Sequence, residues 1–225
     1  MSVAAGVIEV IDHFNRAQAL TTTPGVNGWT VKDTSSAGTP TYLCATEDGG
    51  AMVLTLAATS EAEIVTMYQN DVLPYDLRQI QRCWWICKVS GVDAVTQIAW
   101  GLASAQNDTL DSVSVHAWFR IDGTADLDDV VIETDDNVTD DNDNATGVTL
   151  GSTYKKFEID FGRGLSDIRF YIDGQPVGSQ TFSLAGVAAG QNVQPFVQIQ
   201  KASGTGTPAI TIAQFGIQSQ YSYGS

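Results

Sequence analysis

The chain has 225 residues, 43% of them hydrophobic, with 21 glycines and a formal charge of −15. That length buries a sizeable core without staples, and the acidic balance excludes the basic face that nucleic acid or an anionic membrane surface demands. Three cysteines without metal-ligand spacing read as core thiols of a reducing compartment, and with no basic n-region and no long apolar run neither a signal peptide nor a membrane span is expected.

Val7 to Phe14 is a predicted first strand at an edge. Pro24-Gly25 and Asn27-Gly28 signal turns, and Trp29 to Lys32 is a short strand. Tyr42 to Thr46 and Ala51 to Ala57 flank Glu47-Asp48-Gly49-Gly50 and read as a hairpin. The β-branched content of Glu61 to Gln69 favours a strand. Gln79 to Val89 is apolar on both parities, with Ile80, Trp84 and Ile86 against Cys83, Trp85, Cys87 and Val89, as a central strand requires. Thr96 to Ser104 continues the sheet. Ser112 to Ile121 alternates most cleanly: Val113, Val115, Ala117, Phe119 and Ile121 on the expected core face, Ser112, Ser114, His116, Trp118 and Arg120 on the other.

Asp128 to Glu133 is a short strand and Asp135 to Gly147 an acidic, Asn-rich loop. In Tyr154 to Gly178, Phe157, Ile159 and Phe161 alternate with charged residues, as do Ile168, Phe170 and Ile172, and Asp173-Gly174 calls for a two-residue primed turn. Pro176 to Ser183, Gln194 to Lys201 and Ala209 to Gln218 complete the series. Ile210 and Ile212 differ in parity from Phe215 and Ile217, which predicts a β-bulge near Ala213-Gln214. Residues 221–225 read as a loose tail. Many short strands, glycine-rich turns, no helix, no repeat and no linker predict one all-β domain over residues 1–225, a single antiparallel β-sandwich.

The stretch Phe170-Tyr171-Ile172-Asp173-Gly174, following an aromatic-led strand, resembles the laminin-G-like and concanavalin-A-like jelly rolls. Asp12-His13-Phe14, Asn27-Gly28-Trp29 and Trp100-Gly101-Leu102 follow the order of that family, and Asn27 to Tyr42 resembles virion proteins of tailed bacteriophages. The resemblance implies a concanavalin-A-like jelly roll and a non-enzymatic virion protein, a capsid decoration or cement protein assembled in the host cytoplasm. Its expected partners are the capsid protein of the same virion and copies of itself, a trimer matching the threefold sites of capsid lattices. A carbohydrate-binding module on a virion appendage, taking a glycan, is the alternative, and a laminarinase-like glycoside hydrolase the third reading.

Three groups carry candidate chemistry. Glu158-Ile159-Asp160 places two carboxylates on one strand face, as two-carboxylate hydrolysis needs, and resembles the laminarinase-like catalytic strand Glu-x-Asp-x-x-Glu. The third acid is absent, because Gly162-Arg163-Gly164 stands in its place, and in those enzymes the strand lies well upstream of the hairpin. No catalytic residue is assigned, and cross-strand pairing with Arg169 is the competing role. The acidic stretch holding Asp135, Asp136, Asp140, Asp141 and Asp143 offers the hard oxygens that calcium takes, a rim site the resemblance also implies, or else is a solvated loop. No cofactor is required beyond that calcium. His116, Trp118 and Arg120 form a strip that serves as a sugar platform, as interface anchors or as a second packed sheet face.

Overall fold

A computed structural model describes residues 5–15, 20–124 and 129–222. They form β1 (Ala5–Asp12), β2 (Thr30–Asp33), β3 (Thr41–Ala45), β4 (Ala51–Thr55), β5 (Glu63–Tyr68), β6 (Tyr75–Asp76), β7 (Ile80–Ser90) and β8 (Thr96–Ala103). There follow β9 (His116–Asp122), β10 (Asp129–Asp135), β11 (Asp140–Thr149), β12 (Lys155–Asp160), β13 (Ile168–Ile172), β14 (Gln175–Phe182), β15 (Asn192–Lys201) and β16 (Ala209–Ser222). One sheet, here the back sheet, runs β14-β13-β12-β7-β16-β4-β3, with β1 also on β16. The front sheet runs β11-β10-β9-β8-β15-β5-β2, with β6 also on β15. The pairings are antiparallel, and the sheets face each other as the β-sandwich the alternation predicts.

Strand parity decides what lies between them. Phe119, Trp100 and Phe157 are fully buried and Phe170 nearly so, and Phe119 meets Phe157 and Phe170 edge-on at 5.0 and 5.2 Å. Such edge contacts suit the aromatic quadrupole. β7 lies between β12 and β16, the central position its two-sided apolar character predicts. Cys83 and Cys87 are buried free thiols, and burial pushes both well up. The Asp12 carboxylate ties β1 to the start of β2: Oδ2 accepts from Asn27 Nδ2 at 2.7 Å and from Trp29 Nε1 at 3.0 Å, and Oδ1 from the Phe14 amide at 2.9 Å. The expected bulge is present, since Ile212 pairs with Cys87 but Gln214 with Ile86, leaving Ala213 extra. Asp173 and Gly174 both have positive φ, 51° and 77°, the primed hairpin turn.

Three expectations change. β9 begins at His116, and Leu110–Ser112 before it is a turn of 3-10 helix. Asp140–Thr149, expected as loop, is an edge strand paired to β10 with two register shifts. Its side chains alternate between half-buried and exposed with no apolar set, so periodicity could not find it, while its acids guard a free edge. Residues 221 and 222 of the expected tail belong to β16, and 223–225 lie outside the described residues. Asp128, the expected start of a strand, also lies outside them. Among the described residues no helix is long and apolar enough to cross a membrane.

Candidate functional site

A period of two gives the front sheet an outer face as well as a core face, and the register orders that face into rows. The first row is Ile64, Gln200, Gln97 and Asp122, across β5, β15, β8 and β9. The second is Thr66, Gln198, Ala99 and Arg120, with Lys32 of β2 beside Thr66. The third is Tyr68, Phe196, Gly101, Trp118 and Glu133.

Polar side chains link the first two rows into one ladder. Lys32 Nζ donates to Gln106 Oε1 at 2.7 Å, and Thr66 Oγ1 to Gln198 Oε1 at 2.8 Å. Gln198 Nε2 donates to Gln200 Oε1 at 2.8 Å, Gln200 Nε2 to Gln97 Oε1 at 2.5 Å, and Gln97 Nε2 to Asp122 Oδ2 at 3.1 Å. The ladder ends on a carboxylate, which only accepts, so every amide must point its NH2 towards Asp122. A cavity of about 280 Å³ opens over the first row, where Gln97, Gln200, Asp108, Thr109 and Thr124 supply its polar lining. In the ladder Gln200 and Gln97 each use one N–H towards their neighbour, leaving a second N–H and carbonyl lone pairs beside that space. Paired donors and acceptors are what hydroxyl groups need, because each hydroxyl both gives and accepts a hydrogen bond.

The third row is aromatic. Trp118 stacks on His116 at 3.7 Å and on Phe196 at 5.7 Å. It fits because its cross-strand partner is Gly101, where a Cβ would stand 2.4 Å from the Ala117 carbonyl oxygen and 2.6 Å from Trp118 Cβ. Tyr68, Ala99, Ala103, Leu110, Val113, Trp118 and Phe196 make a hydrophobic cluster separate from the inter-sheet core. Leu110 and Val113 come from the loop Ser104–Val115, which crosses this face and covers the rings.

Beside the rings is a buried charge cluster. Glu133 accepts from Trp118 Nε1 at 2.7 Å and Arg120 NH1 at 2.9 Å, and the guanidinium also reaches Asp111 at 2.8 Å and Asp122 at 3.3 Å. Burial lifts the Glu133 carboxyl to about 7 against the pull of Arg120, with Asp143 pushing the same way. Burial opposes the Arg120 charge, but the carboxylates of Glu133, Asp111 and Asp122 outweigh it and hold its pKa up. His116 is lowered to about 4 by burial, its Nδ1 lies 3.0 Å from the Val113 carbonyl oxygen and its Nε2 has no partner.

The candidates read from the sequence lie in three places. His116, Trp118 and Arg120 do share one face, but they are 3%, 0% and 5% exposed. They are therefore no open strip, and the structure assigns them to a second packed layer, because the Ser104–Val115 loop covers the face that alternation left outward. The calcium candidates do not converge. Asp136 is buried with its oxygens on the amides of Val138, Thr139 and Gly186, Asp135 accepts from the Asn137 amide, and Asp140 accepts from Asn142. Asp141 pairs with Thr134 along β11, and Asp143 sits in the irregular stretch opposite Glu133. Among the described residues no three His, Cys, Asp or Glu side chains gather to hold a metal. Glu158 and Asp160 lie on the outer face of the back sheet, away from this cavity. Lys156 pairs with Glu158, the Gly162 amide bonds Asp160, and Arg169 pairs with Asp167 rather than with either. Sequence reasoning missed the ladder, although Gln194, Phe196, Gln198 and Gln200 share one parity in β15.

No protein-family model and no curated protein matches the chain. Solved structures do. The Bacillus licheniformis β-glucanase aligns at a TM-score of 0.58 and 14% identity over 93% of this chain and 97% of its own. A glycoside hydrolase family 16 endo-glucanase from Bacteroides ovatus aligns at 0.58 and 10% over 92% and 99%. The carbohydrate recognition domain of Emp46p, in its potassium-bound form, aligns at 0.57 and 7% over 92% and 94%. At such identities the likeness establishes the fold, the jelly roll of concanavalin-A-like lectins and family 16 hydrolases. It overturns the expectation that the chain is no enzyme, since two of these neighbours are glucanases on the same sandwich.

Proposed function

We propose that the protein binds carbohydrate on the outer face of its front sheet, at the cavity over Gln97 and Gln200. The observation that carries this reading is the oriented amide ladder ending on Asp122. It offers fixed donors and acceptors to a polyhydroxylated ligand without paying to order them at binding. The fold neighbours support the same class: one is a carbohydrate recognition domain and two act on glucans by name. Glu133 does not reach a ligand in this arrangement, being 1% exposed and held by Trp118 and Arg120. A place on a capsid rests on sequence resemblance alone and gains nothing from the site.

A glycan array tests the reading, with melting curves to confirm that each variant folds. Gln97→Leu and Gln200→Leu each remove a bonding partner at the cavity and should weaken binding about tenfold or more, the equivalent of about 1.4 kcal/mol. Lys156→Gln, on the back sheet, should bind as wild type. A wild-type protein that binds no printed saccharide ends the proposal. So does equal loss from the back-sheet control.

A further inference from the structure

Two sets of contacts end on one oxygen. Asp122 Oδ2 accepts from Gln97 Nε2 at 3.1 Å, closing the amide ladder, and from Arg120 NH2 at 3.3 Å. Arg120 NH1 in turn donates to Glu133 Oε1 at 2.9 Å and to Asp111 Oδ1 at 2.8 Å. The polar lining of the cavity is therefore joined, through one guanidinium, to a carboxyl that is 1% exposed.

The cluster carries more acid than base. Around the Arg120 cation stand Glu133, Asp111 and Asp122, and Asp143 on β11 faces Glu133 from the other side. Trp118 on β9 gives Glu133 an uncharged N–H. His116, stacked on Trp118, is neutral above about pH 4, and Asp140 lies beside it. Asp135 is the next outward residue of β10. One guanidinium does not balance three carboxylates out of water, so the cluster takes up a proton readily. Glu133 is where that proton sits, because burial disfavours its charge and Asp143 accepts its O–H. The other two carboxylates have less need of it. Burial opposes the Asp122 charge too, but Oδ1 takes bonds from the Thr124 hydroxyl at 2.6 Å and amide at 2.9 Å, which hold that carboxyl low. Asp111 has 72% of its side chain exposed, where water screens it.

We infer that Glu133 is a proton switch on the ladder: once it gives its proton to solvent it draws Arg120 away from Asp122, which then holds the Gln97 amide alone and fixes the donors that grip a glycan. This rests on the carbohydrate-binding reading. The Asp122 contact is the longest of the three guanidinium bonds, 3.3 Å against 2.9 and 2.8 Å, so it is the one that yields. With the proton in place Glu133 is a weaker acceptor. Arg120 then turns its charge to Asp122 and competes with Gln97 Nε2 for Oδ2, loosening the end that orients every amide before it. The two forms exchange at about pH 7, and a bound glycan must favour the ionised carboxyl by the factor by which ionisation favours the glycan.

The test has a ligand-free arm. The side-chain amide NMR signals of Gln97 are followed across pH 7 in wild type, Glu133→Gln and Asp143→Asn, with melting curves to confirm folding. In wild type they should titrate with a midpoint of about 7. Glu133→Gln should abolish that titration. Asp143→Asn, an exposed change that leaves Glu133 in place, should move the midpoint to lower pH by removing a like charge. A glycan array that includes β-linked glucose hexamers is then read about one pH unit below and above that midpoint. Wild type should bind at least about fivefold more tightly at the higher pH, and Glu133→Gln equally at both. Gln97 signals that stay fixed in wild type, or titrate alike in all three proteins, sink the switch and leave carbohydrate binding standing. So does a wild-type affinity that is the same at both pH values. Arrays blank at both pH values sink the carbohydrate reading and the switch with it.

Discussion

Replacing Lys201 by Met removes a charge with no route to solvent. The Lys201 and Glu63 side chains are both 0% exposed and lie 3.4 Å apart. The ammonium donates to the carbonyl oxygens of Thr59 at 2.9 Å and Gly206 at 3.0 Å, and also to that of Ala57. Glu63 accepts from the Ala57 amide at 2.7 Å and the Thr59 hydroxyl at 2.9 Å. Methionine fills the stem's volume but strands the carboxylate and three carbonyls. Removing one member of a buried pair costs about 3–5 kcal/mol, a large part of the roughly 5–15 kcal/mol a domain has. For a chain of this size each kcal/mol moves the melting temperature about 2–4 °C, so a fall of about 10 °C is expected. Glu63→Gln/Lys201→Met should cost less than the two single changes added together, because the stranded charge is gone. Calorimetry of the four proteins reads both numbers. A Lys201→Met melting temperature within about 2 °C of wild type, or strict additivity, would refute the buried pair.

Two further outcomes follow from the front sheet. Gly101→Ala should destabilise by about 1–3 kcal/mol, since its Cβ would meet the Ala117 carbonyl at 2.4 Å; urea unfolding measures it, and an unchanged midpoint would mean that β8 and β9 lie further apart. Between pH 4.5 and about 7 the folded chain keeps a Glu133 proton that the unfolded chain has lost, so that group alone makes stability fall as pH rises. Between about pH 4 and 6.5 the unfolded chain holds a His116 proton that the folded chain lacks, so that group alone makes stability rise. Each effect is on the order of 3 kcal/mol, and in wild type they oppose each other. Relative to wild type, Glu133→Gln should gain a slope that rises with pH across this window and His116→Asn one that falls. Parallel pH profiles for all three proteins would show that neither group is buried as described.

The sandwich was legible because alternation is a local signal. Phe157, Ile159, Phe170 and Ile172 name their face from sequence alone, and the parity break between Ile212 and Phe215 located a bulge. The turn at Asp173-Gly174 was equally local, since it depends on two adjacent residues accepting positive φ. β11 was not legible, because an edge strand whose half-buried face is mostly polar has no apolar period to detect. Asp141 and Asp143 there read as loop or as metal ligands for the same reason, a run of acids being compatible with either.

The candidate site shows where alternation stops being informative. It assigned His116, Trp118 and Arg120 correctly to the face opposite Phe119, but a period of two says only which residues point away from the core. What they point into is set by Leu110 and Val113 on the covering loop, and no sequence rule ties that loop to this face. Gly101 was the one positional hint, since a glycine inside a strand often marks a close approach, and here the approach is by the Ala117 carbonyl and the Cα and Cβ of Trp118 on the neighbouring strand. The ladder likewise depends on contacts between strands distant in sequence: Gln97 and Gln200 are far apart in the chain and 2.5 Å apart in space. Neither amide is informative alone. Their meaning comes from Asp122 at the end of the row, whose carboxylate fixes the direction of every donor before it, and so fixes which hydrogen-bonding groups are left to face a ligand.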